Sequence, residues 1–105
     1  MKLGKMFKFG DIILAHVQFT DTLDIKVRPV LVLFQEMGNI VVVGITSNVK
    51  MKGIQLTKED GAVKESVIKL NYIFTISESM VKKALFVLSD KKKNLVRNEL
   101  LKKIA

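Results

Sequence analysis

The sequence predicts a mostly β fold: a small barrel of antiparallel strands closed by one C-terminal α-helix. Three observations carry this. Short apolar, β-branched runs recur along most of the chain, turn residues separate them, and helical periodicity shows only at the end. With 105 residues, 49% of them hydrophobic, the chain suits a single domain over 1–105 with one core.

Asp11–Gln18 (DIILAHVQ) is apolar and β-prone and reads as the first strand. Residues 20–26 (TDTLDIK) are polar with turn chemistry and read as a loop. Residues 28–34 (RPVLVLF) are apolar at successive positions, as in a strand buried on both faces. Pro29 fits only near that strand's start or on an edge, because it has no ladder donor. Met37-Gly38-Asn39 punctuates, and 40–47 (IVVVGITS) completes the clearest hairpin. Further short strands are expected at 53–56, 66–70 and 84–88, with a turn at 58–61 and a short helix or turn within 72–80. Ser89 or Asp90 can cap a final helix. Along it Val96, Leu100 and Ile104, beside Leu101, make a narrow apolar stripe.

The formal charge is +8, and the segment from Lys82 onward contributes +6 of it. Such a surface attracts polyanions, although a lysine-rich solvated helix explains the same charge. No apolar run approaches the roughly 18 residues of a membrane span. The lysines and apolar residues at the N-terminus resemble a signal peptide faintly, but Gly10 and Asp11 interrupt them and no small-residue cleavage site follows. The sequence has no cysteine, which removes disulfides and thiolate chemistry and suits a reducing cytoplasm. A soluble cytoplasmic protein without cofactor is expected, with no membrane association. The single histidine, His16, has no partner at metal-ligand spacing and reads as a half-buried strand residue.

Chemistry on a phosphate without a metal needs a cation for developing charge and a hydroxyl or amide to orient it. The hairpin offers both. Arg28 is one of two arginines, and its planar fork suits a phosphate. If Glu36 pairs with Asn39, Arg28 faces Ser47; a register one residue shorter sets it opposite Thr46. Singly, a strand-end charge, β-propensity and a turn account for Arg28, Thr46 and Ser47. Their adjacency, near Lys50 and Lys52, makes a catalytic reading competitive.

At these residues the chain resembles the MazF/PemK toxin family, in five ordered blocks: FGDIILAHVQFTD, VRPVLVLF, VVVGITS, KESVIKLNYIFTIS and LSD. The resemblance implies an SH3-like barrel and a dimeric, ribosome-independent endoribonuclease, the toxin of a toxin–antitoxin pair. It implies metal-free cleavage of single-stranded RNA by attack of the 2′-hydroxyl, leaving a cyclic phosphate. Arg28 is implied to stabilise the phosphorane, with Thr46 holding a phosphate oxygen and Ser47 a secondary candidate. A small acidic antitoxin is the implied partner, and DNA binding would come only through it. Asn71-Tyr72 stands where many members carry an acidic residue followed by glutamine, and Lys69 where some carry arginine. The loop before Arg28 also departs from the family's best-known form. Phe19, Thr20, Lys26, Lys50, Lys69 and Asn71 are expected to contact RNA. A catalytically lost binding module on the same scaffold is the alternative reading, and a CcdB-type gyrase inhibitor a more distant one.

Overall fold

The computed structural model describes residues 6–18 and 25–105. Six strands form one antiparallel sheet: β1 (Asp11–Gln18), β2 (Ile25–Glu36), β3 (Asn39–Thr46), β4 (Ile54–Leu56), β5 (Ser66–Ser77) and β6 (Val81–Val87). Their order is β4-β5-β3-β2-β1-β6, so the sheet curls into a half-barrel with β4 and β6 at its edges. A 15-residue helix, α1 (Asp90–Ile104), follows.

The unbroken apolar runs of β1, β2 and β3 are buried on both faces. One face, with Ile12, Leu31, Val43 and Ile68, packs inside the barrel against Val96 of α1. The other, with Ile13, Val30, Val42 and Ile76, is covered by Phe7, Met80 and their neighbours. Burying these side chains on both faces supplies most of the folding drive, at roughly 25 cal/mol per Å² of apolar surface.

The β2–β3 hairpin turns at Met37-Gly38, both with positive φ, as a two-residue turn requires. Glu36 pairs with Asn39 and Phe34 with Val41, but from Val32↔Val42 onward the register is one residue shorter. The extra residue is a β-bulge at Leu33.

Three expectations need correction. Ile25 and Lys26 belong to β2 rather than to a loop, because they pair with Gln18 and Val17. The strand begun at Ser66 continues to Ser77, and only Glu78–Met80 forms a 3-10 turn. The helix stripe is only partly used: Val96 is fully buried, whereas Leu101 and Ile104 are 53% and 72% exposed. Pro29 lies just outside the β2–β3 ladder, which reaches only to Val30↔Gly44, so no donor is asked of it there.

The start of α1 is fastened to the β4 edge. Ser89 caps the helix by accepting the Lys92 N–H at 3.2 Å. The Lys92 ammonium donates to the Gln55 carbonyl at 2.8 Å and pairs with Asp60 at 3.4 Å. Asp60 also accepts the Thr57 N–H at 2.7 Å and its hydroxyl at 3.0 Å. Burial alone would raise the Asp60 pKa, but these hydrogen bonds and the Lys92 charge outweigh it and hold the carboxyl below its ordinary 3.8.

Candidate anion-binding face

The β2–β3 ladder ends at Val30↔Gly44, and the two strands then keep different company. Beyond that point β2 stays with β1, pairing Arg28 with Ala15. Meanwhile β3 stays with β5, pairing Thr46 with Val67. The sheet divides there, opening a mouth between Arg28 and Thr46.

The shorter register set by the Leu33 bulge, continued two residues past the ladder, brings Arg28 opposite Thr46 rather than Ser47. Across β3, Gly44 pairs with Lys69 on β5. Residues paired across a sheet, and those two apart along a strand, share a face. Arg28, Thr46 and Lys69 therefore occupy one face.

Arg28 is solvent-exposed, and its Nη1 lies 3.4 Å from the Val27 carbonyl. Thr46 Oγ1 accepts the Asn48 N–H at 3.1 Å. A hydroxyl that accepts from backbone keeps its own proton to donate, which suits an anionic oxygen. Asn48 Oδ1 in turn accepts the Lys50 N–H at 3.1 Å, so two side-chain turns shape the loop after β3.

That loop lays Met51 against Lys69. Lys69 is 93% buried, with 7% exposure, yet makes no ion pair among the described residues. Its ammonium sits 4.1 Å from the centroid of the Tyr72 ring and 3.9 Å from the Met51 sulfur. Both are soft, neutral partners for a full charge.

Arg28, Thr46, Ser47, Lys69 and Asn71 all line one concavity of about 1460 Å³. No aspartate or glutamate among the described residues lines it. Lys26 and Lys50 are exposed and lie away from its lining, Lys50 using its backbone N–H to shape the loop. Phe19 and Thr20 lie outside the described residues. His16 is exposed and lines the concavity, from a strand position whose neighbour Ala15 pairs with Arg28.

Two residues were given no role by sequence reasoning, Tyr72 having been noted only as part of a departure from the family pattern. Three residues of β5, 70–72, bulge out between Val43↔Ile73 and Gly44↔Lys69, and the last is Tyr72. Its ring leans over Gly44: a Cβ at 44 would meet Tyr72 Cβ at 3.3 Å and Cδ2 at 3.7 Å. The available signals were that Tyr72 is the chain's one tyrosine and Gly44 the one break in a β-branched run.

Fold and face define a small β half-barrel whose divided sheet presents two cations and a hydroxyl donor to an anionic ligand. The sequence profile of the PemK-like, MazF-like toxins of type II toxin–antitoxin systems matches residues 8–104, and the chain belongs to that family. No curated protein sequence matches significantly. Solved structures with the same fold include the Mycobacterium tuberculosis toxin MazF-mt6, 22% identical, with 89% of this chain and 93% of that one aligned at a TM-score of 0.69. MazF in the MazE-MazF complex from Deinococcus radiodurans is 16% identical over 95% and 96% of the chains, at 0.75. An endoribonuclease in complex with its cognate antitoxin, from a mycobacterial species, is 12% identical over 93% and 91%, at 0.68.

Proposed function

We propose that this protein is the endoribonuclease toxin of a toxin–antitoxin pair and cleaves single-stranded RNA at the mouth between β2 and β3. The observation that carries the proposal is the common face of Arg28, Thr46 and Lys69, set by the strand registers. In the reaction the substrate's 2′-oxygen attacks the adjacent phosphorus and loses its proton. The bond to the 5′-oxygen breaks, that oxygen gains a proton, and a 2′,3′-cyclic phosphate and a 5′-hydroxyl end result. Arg28 neutralises charge on the phosphorane, the Thr46 hydroxyl donates to a non-bridging oxygen, and Lys69 offsets charge on the neighbouring phosphate. Ser47, exposed at the mouth, is a second donor. These roles require no metal. Among the described residues no three of His, Asp or Glu cluster as metal ligands. A homodimer neutralised by an acidic antitoxin fits the family and the +8 charge.

Incubation of the protein with a mixed single-stranded RNA pool in EDTA tests this. Wild type should generate cyclic-phosphate ends, and Arg28→Ala should cut at least 100-fold more slowly, the usual effect of removing a transition-state contact. Cleavage at equal rates by both would overturn it. A binding module that has lost catalysis is favoured by one observation, the absence of a carboxylate base at Asn71 and along the described lining. On that reading wild type gives no cleavage, and Arg28→Ala merely weakens a salt-sensitive association.

A further inference from the structure

We infer that Tyr72 is a stacking platform for one nucleobase of the bound strand, making Tyr72 and Lys69 a nucleotide subsite beside the Arg28–Thr46 mouth. The inference rests on the nuclease reading only in taking the ligand to be a single-stranded nucleic acid.

The subsite follows from three features of β5. The 70–72 bulge releases Tyr72 from the pairing with β3, as bulges do where a side chain is re-aimed. Gly44 leaves the space over which the ring leans, with the Phe74 ring also 3.8 Å from where its Cβ would be. The Lys69 ammonium occupies one side of the ring, at 4.1 Å from its centroid. An aromatic held on one face by a buried cation cannot rotate without stripping that cation of its ring. Yet Tyr72 remains 49% exposed within the concavity, so a fixed, water-facing ring borders the proposed phosphate site.

A half-exposed aromatic beside cations is the arrangement by which proteins hold single strands: bases stack on the ring, phosphates meet the charges. Lys69 fits the second role because burial has removed it from water while no described carboxylate neutralises it. A phosphate adjoining the stacked base supplies the missing anion. Stacking tolerates every base, so Tyr72 sets how firmly the strand is held at this position. Asn71 is exposed beside it and offers amide donors and an acceptor to a base edge.

The composition provides the test. The chain has one tyrosine and no tryptophan, so tyrosine fluorescence reports on residue 72 alone. Titration with a 2′-O-methyl oligoribonucleotide, which cannot be cleaved by 2′-oxygen attack, should quench that emission. Anisotropy of a labelled oligonucleotide should give the same Kd. An abasic oligomer with the same phosphates should bind and leave the emission unchanged. Tyr72→Leu should weaken the base-bearing oligomer roughly 5- to 100-fold and the abasic one little, with Tyr72→Phe restoring affinity. Matching thermal unfolding midpoints would exclude a folding defect. Unquenched emission at saturation, no binding of the oligomer, equal losses for both oligomers, or failure of Tyr72→Phe to rescue would each overturn the inference. Quenching and binding without any RNA cleavage by wild type would leave the platform standing and remove the nuclease reading.

Discussion

Lys92 and Lys69 are both drawn out of water, and their surroundings differ in kind. Lys92, 19% exposed, is met by the Asp60 carboxylate and the Gln55 carbonyl, and it joins α1 to the β4 edge. Lys69, more deeply buried, is met by an aromatic ring and a sulfur. A charge with an anionic partner is part of the scaffold. A buried charge without one carries a desolvation cost that a ligand's anion can offset. The contrast separates a lysine that holds the fold from one left open to an anionic ligand.

Exchanging each lysine for a neutral side chain of similar length should break the comparison if it is wrong. Lys69→Met should lower single-strand affinity about 10-fold or more, while leaving the unfolding midpoint unchanged or higher. Lys92→Met should do the reverse, costing about 1–2 kcal/mol of stability in denaturant titration with RNA affinity intact. A large loss of stability in Lys69→Met would show that its charge is structural after all.

The Asp60 side of the comparison has a pH signature. Because its folded pKa is depressed, the carboxylate contributes stability that is fully present above the unfolded value near 3.8. That stability is lost as pH falls through the lower folded value. Asp60→Asn should therefore flatten the acid limb of the stability curve below about pH 4 without changing RNA binding at neutral pH. A smaller effect is expected from Gly44→Ala. Its Cβ would press on Tyr72 at 3.3 Å, and a few tenths of an ångström of ring displacement should weaken strand binding about 2- to 5-fold. No change would mean that the ring gives way freely.

Much of this was legible beforehand, and what escaped has physical causes. The β-branched runs of β1, β2 and β3 announced their strands because burial on both faces leaves no polar alternation to misread. The second half of β5 escaped because Asn71, Thr75 and Ser77 dilute its apolar character and its pairing with β3 is interrupted at 70–72. The α1 stripe was overextended: periodicity shows which residues share a face, but not how far a neighbouring surface reaches along it. Arg28 and Thr46 were placed together as one of two registers. Choosing between those registers needed the bulge, and bulges leave little trace in composition. Tyr72 escaped because its importance lies in what sits beneath it.

The bulge at Leu33 has one more consequence. In a strand, a shift of one position exchanges inside for outside for every residue beyond it. Were the ladder to run through Leu33 without a bulge, Arg28 would align with Ser47 and turn toward the barrel interior, on the opposite side of the sheet from Lys69. A single bulged residue near the hairpin tip, well along the strand from the mouth, thus acts as a ratchet tooth that decides which way the guanidinium points.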